Sequence, residues 1–130
     1  VSQENVELVR EGNAAFRRGD WDNVAANLDP HILVRADPRW PEQRVYGREA
    51  ALAFYRNLWE SAGPDVRIEE LTDLGDRVLV RVCWYMRGVH SGVEGDFWSS
   101  IIFTFREGRV ILEEFFLEHE RALEAVGLEE

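Results

Sequence analysis

The nine residues from Phe97 to Phe105 carry apolar side chains on both faces of an extended chain. Phe97, Ser99, Ile101, Phe103 and Phe105 fall on one face, and Trp98, Ser100, Ile102 and Thr104 on the other. Such a strand needs cover on both sides, which places it inside a layered fold. Helices upstream can supply one layer. A second copy of the chain is the simplest cover for the other, so a homodimer is expected.

Those helices are written in the first half of the chain. Val6, Val9 and Phe16 recur at helical spacing until Gly19, with Gly12 and Asn13 on the same face. A glycine inside a helix is costly, so Gly12 points to a close approach or to open pocket space. Asp20 is placed to cap a second helix through Trp21, Val24 and Leu28, ending at Asp29-Pro30. Ile32 to Ala36 reads as a short strand, broken by Asp37-Pro38 into a loop from Arg39 to Glu42. The third helix is expected from Arg48 to about Glu60, with Leu52, Tyr55 and Trp59 on one stripe.

From Val66 onward the period changes. Turn signals at Gly75-Asp76, His90-Ser91-Gly92 and Glu107-Gly108 divide four β-rich runs, which predicts an antiparallel meander. Val78, Val80, Val82, Trp84 and Met86 share one face of the second run. A last helix is expected from His119 to Val126. The reading is thus an α+β fold: three N-terminal helices on a mostly antiparallel sheet, a short C-terminal helix, and one domain over residues 1–130.

Composition narrows the function classes. The formal net charge is -10, from 25 acidic residues against 15 arginines and no lysine, and the acids are spread along the chain. That surface repels phosphate backbones and anionic lipid, so neither nucleic acid nor membrane is an expected partner. Apolar residues make up 45% of the chain, enough for a core without metal or cofactor support, and no cofactor is called for. Cys83 is the single cysteine and lies in the apolar run Val80 to Trp84, which reads as a core hydrophobe in a reducing compartment. With no signal peptide or long apolar stretch, the expected location is the cytoplasm.

Helix, Gly19-Asp20-Trp21-Asp22, helix, a strand ending in Ala36-Asp37-Pro38, a Tyr46-Gly47-Arg48-Glu49 helix start and four strands form an order that resembles the SnoaL-like branch of the nuclear transport factor 2-like superfamily. Leu74-Gly75-Asp76-Arg77-Val78, Phe105 to Val110 and Arg121 to Leu128 extend the match over nearly the whole chain. The resemblance implies a cone-shaped fold with a strongly curved sheet, a pocket inside it for a small apolar organic ligand, and a homodimer across the sheet. It also implies a choice among isomerases, cyclases, dehydratases and non-catalytic binding proteins. Gly12, Asn13, Phe16, Trp40, Phe54, Tyr55, Trp84, Phe97, Ile101, Phe103 and Phe115 are the expected pocket residues.

Asp37 and Glu113 are the candidate proton carriers. Asp37 ends a short strand beside Trp40, Phe54 and Tyr55, and a carboxyl in apolar surroundings has a raised pKa. The resemblance matches it to the aspartate with which ketosteroid isomerases move a proton. Their oxyanion donors are absent here, because the tyrosine position holds Gly12 and the protonated-aspartate position holds Ile101; steroid isomerisation is therefore disfavoured. Matching the last strand to the same enzymes puts Ile111, Glu113, Phe115 and Leu117 inside. Glu113 then pairs either with Asp37 or with an inward arginine such as Arg35. His31, His90 and His119 are too widely spaced for a local metal motif, so no metal site is expected.

Overall fold

A computed structural model describes residues 2–40, 43–86 and 95–128 of the chain. Helix α1 (Ser2–Arg18) buries Val9, Ala15 and Phe16 and leaves Glu7, Arg10, Glu11 and Arg17 outside. It stops at Gly19, whose φ of 69° suits only glycine at low cost and whose backbone lies against the indole of Trp59. Asp20 then caps helix α2 (Trp21–Ala26) by accepting the backbone N–H of Asn23.

Helix α2 is shorter than expected. Strand β1 (Leu28–Arg35) already begins at Leu28, so Asp29 and Pro30 lie within a strand and do not close a helix. Proline is tolerated there because the pairing with strand β6 (Arg109–Phe116) slips between Leu28 and Leu33, which frees that stretch from the ladder. The Asp29 carboxyl accepts the His31 N–H within the same irregularity. Strand β2 (Arg44–Tyr46) is an element the sequence pattern missed, since three residues are too few for alternation to register. Helix α3 (Arg48–Ala62) follows as expected.

The meander is as predicted. Strands β3 (Val66–Asp73), β4 (Arg77–Tyr85), β5 (Asp96–Arg106) and β6 pair antiparallel in turn, and the sheet order is β2-β1-β6-β5-β4-β3. The one parallel pair joins β1 to β6. Helices α1 and α3 pack on one face of this curved sheet, and Val78, Val80, Val82 and Trp84 point into the core between them. Cys83 is buried, as its apolar surroundings suggested. The expected turn around His90 lies outside the described residues.

The second face of β5 is covered differently from expectation. Helix α4 (His119–Ala125) folds back over it, and Ala122 and Leu123 pack with Leu79 and Ile102. Ser100 Oγ lies 2.7 Å from His119 Nδ1 at the start of that helix. Ile102 therefore has no exposed surface within one copy of the chain and is not available to a second subunit. Trp98 is the large apolar side chain of this face that keeps substantial exposure, with the Arg81 guanidinium over its ring. Ile102→Ala should cost about 2–5 kcal/mol of folding stability, because it removes packing beneath α4. Urea unfolding at several protein concentrations checks this: the loss should be the same at each.

Candidate functional site

Between the helices and the inner face of the sheet lies a cavity of about 110 Å³, measured as space open to the centre of a water molecule. One water needs only about 10–15 Å³ by that measure, and a cavity of about 150 Å³ takes up benzene. The space therefore suits a single ring. Helix α1 contributes Gly12, Asn13 and Phe16 to its wall, and α3 contributes Tyr55. Trp84 comes from β4, Ile101 and Phe103 from β5, and Glu113 and Phe115 from β6. At Gly12 a side chain would meet nothing within 4 Å, so the glycine leaves room beside the cavity and no backbone approaches it closely.

Trp40, Phe54 and Phe97 stand elsewhere. They line a second space of about 20 Å³ together with Asp37, with Trp84 and Phe115 forming walls of both. That volume holds about one water, so these residues support the main cavity from behind.

Asp37 is buried at 4% exposure, yet its carboxyl is lowered from the ordinary 3.8, opposite to the expected direction. The Arg39 side chain is the main cause: its Nε donates to Oδ1 at 3.0 Å. Burial acts against it and is outweighed by that bond together with the backbone N–H groups of Arg39 and Leu117, which donate at 3.0 Å each. Held in this way, Asp37 stays ionised and ties the loop after β1 to the end of β6.

Glu113 carries the opposite chemistry. At the same 4% exposure it is raised from 4.5 to about 7, because burial disfavours the charge and, among the described residues, a single donor reaches it. That donor is the Tyr55 hydroxyl, 2.6 Å from Oε1. Burial, and then the neighbouring carboxylate, push the Tyr55 phenol well above its ordinary 10.0, so it remains a neutral donor. Neither expected partner of Glu113 is the actual one: Asp37 is held by Arg39, and Arg35 pairs with Glu114 on the other face of β6 at 3.2 Å.

The curved sheet closed by helices, in which this pair sits, is a fold shared with known proteins. The SnoaL-like domain family is matched over residues 9–113. This chain belongs to that family. Similar solved structures include Bal32a from a soil-derived mobile gene cassette, 26% identical with a TM-score of 0.75 and 88% of each chain covered. A putative SnoaL-like polyketide cyclase from Jannaschia sp. CCS1 is 24% identical, with a TM-score of 0.74 over 100% of this chain and 96% of its own. A nuclear transport factor 2-like protein of unknown function from Burkholderia pseudomallei is 21% identical, with a TM-score of 0.73 over 95% and 98%. No curated protein matches the sequence.

In this SnoaL-like chain the Tyr55–Glu113 pair was accessible in principle from a stripe residue on α3 and an inward position on β6. Asn27 and Leu58, which also line the cavity, carried no such signal. His31 is exposed, His119 sits on the far face of the sheet, and His90 lies outside the described residues. Among the described residues no three His, Cys, Asp or Glu side chains converge as a metal site, and no helix is long and apolar enough to cross a membrane.

The Glu113 carboxyl makes stability depend on pH with a definite sign. Its folded pKa lies above its unfolded one, so its contribution is complete below about 4.5 and is lost as pH rises through about 7. The loss is on the order of 3 kcal/mol by proton linkage. Asp20, Asp37 and Asp65 are lowered from 3.8, so their stabilisation is present above that value and fails only in more acidic solution. Urea unfolding between about pH 5 and 8 should therefore show wild-type stability falling with pH, and Glu113→Gln should flatten most of that slope.

Proposed function

We propose that the protein is a cofactor-independent acid/base catalyst for a small apolar ring compound, an isomerase, cyclase or dehydratase, with Glu113 as the proton carrier. The observation that carries this is the 2.6 Å contact of Tyr55 with a Glu113 carboxyl balanced near neutral pH in the cavity wall. As a base, the Glu113 carboxylate takes a proton from the carbon beside a substrate carbonyl, and the C–H electron pair moves into an enolate. Returning the proton to another carbon isomerises the compound. Expelling a β-hydroxyl as water, with that proton, dehydrates it; attack of the enolate carbon on a second carbonyl closes a ring, and the alkoxide so formed takes the proton back from Glu113. Tyr55 donates its one proton to the carboxylate and, once Glu113 has taken the substrate proton, turns that proton to the oxyanion. Asp37 has no part in the transfer, since its charge is held by Arg39 and backbone.

A non-catalytic ligand-binding role is the alternative, favoured by the rest of the wall: apart from Glu113 and Tyr55, its polar side chains are Asn13 and Asn27. Cyclohexanone in heavy water separates the two readings. Wild-type protein should speed deuterium exchange at the carbons beside the carbonyl. Glu113→Gln should lower that rate by roughly 10²-fold or more, while Asp37→Asn should lower stability far more than rate. Binding without exchange would replace the enzyme with a binding protein.

The proposal includes a homodimer and a cytoplasmic setting, the latter resting on the free thiol of Cys83. The sheet face beyond α4 offers Trp98, 42% exposed with Arg81 stacked on it, and the neighbouring Tyr85 under Arg67. Sedimentation at micromolar concentration should give twice the monomer mass. Trp98→Glu should shift it toward monomer, because an unpaired charge in an interface costs several kcal/mol.

A further inference from the structure

We infer that Asn27 is a second polar anchor of the cavity, so that the ligand is a single-ring compound with hydrogen-bonding groups at opposite ends. One group meets Glu113 and Tyr55; the other meets the Asn27 amide. This rests on the Glu113 site proposed above and adds its ligand class.

Asn27 follows helix α2, a place where asparagine usually serves a left-handed backbone. Its φ of -106° is ordinary, so the backbone does not call for that residue. Its main chain is satisfied as well: the N–H donates to the Ala25 carbonyl, and its own carbonyl accepts from Val110 at 2.8 Å. Asn27 lines the cavity, and its side chain has no hydrogen-bond partner among the described residues. Asn13 differs, because its amide already donates to the Val66 carbonyl.

The bond to Val110 also fixes where Asn27 stands. Val110 and Glu113 both line the cavity from β6, on either side of an irregularity in its pairing with β5, so Asn27 and Glu113 meet the cavity at separate points of its wall. The cavity between them is of a size for one ring, which can carry a short arm. Val24, Leu28, Phe103 and Phe105 supply apolar wall for the ring's body.

The test uses para-ethylphenol and para-hydroxybenzyl alcohol, which have the same heavy-atom count and differ by a methyl against a hydroxyl at the arm's end. Calorimetric titration of wild type and Asn27→Ala gives the ratio of the two affinities in each. The ratio should shift about five-fold toward para-ethylphenol in the variant, the worth of one neutral hydrogen bond. Asn27→Leu should give the same shift if the alanine variant does not fold. An unchanged ratio in both variants would overturn the second anchor and leave the Glu113 reading standing. Equal binding of both compounds by wild type and Glu113→Gln would instead remove the inner anchor, and the inference with it. If wild type takes up neither compound at millimolar concentration, the ligand class is wrong.

Discussion

The middle of strand β5, Ser99 to Ile102, meets water on neither face, and the architecture follows from satisfying that requirement twice. On the inner side Ile101 and Phe105 close against residues carried by α1 and α3. On the outer side Ile102 is sealed by the C-terminal helix. Each buried aliphatic side chain of this kind is worth about 1.5–3 kcal/mol, so neither layer is optional. The strand's neighbours β4 and β6 inherit the same two layers, which is why Leu79 is buried on the outer face while Val78 and Val80 are buried on the inner one. The C-terminal helix thereby occupies the position that the sequence pattern suggested for a second copy of the chain.

Two carboxyl groups with the same 4% exposure show how little burial alone decides. Asp37 receives a guanidinium and two backbone N–H groups, and these outweigh desolvation; Glu113 receives one neutral phenol, and desolvation wins. The first becomes a structural tie between a loop and β6. The second is left near the protonation balance at which a carboxyl exchanges protons with little driving force either way. Separate environments therefore give chemically similar side chains different work within one small fold.

Membership in the SnoaL-like family accounts for the fold and not for the chemistry. A curved sheet with helices across its mouth is a container, and its content depends on which inward positions are polar. Here those positions are few. Gly12 enlarges the space where a bulkier residue would narrow it, and the cavity is of a size for one ring. The small number of polar groups makes the position of each a strong constraint on what can bind.

Most of the fold was legible in the sequence, because helix and strand periods are local properties of the chain. The order of elements from α3 to α4 and the meander follow from spacing and parity, the burial of Cys83 from its apolar run; parity turned one of Glu113 and Glu114 inward, and the family resemblance pointed to Glu113. The end of α2 did not, since Pro30 is tolerated only through a pairing slip against a strand some eighty residues later. Nor did the cover of Ile102: the hydrophobic effect has no direction, so a pattern states that a face is buried but not by what. The state of each carboxyl was out of reach for a related reason. It depends on donors within about 3 Å, and Tyr55 for Glu113 and Leu117 for Asp37 arrive there only through tertiary folding.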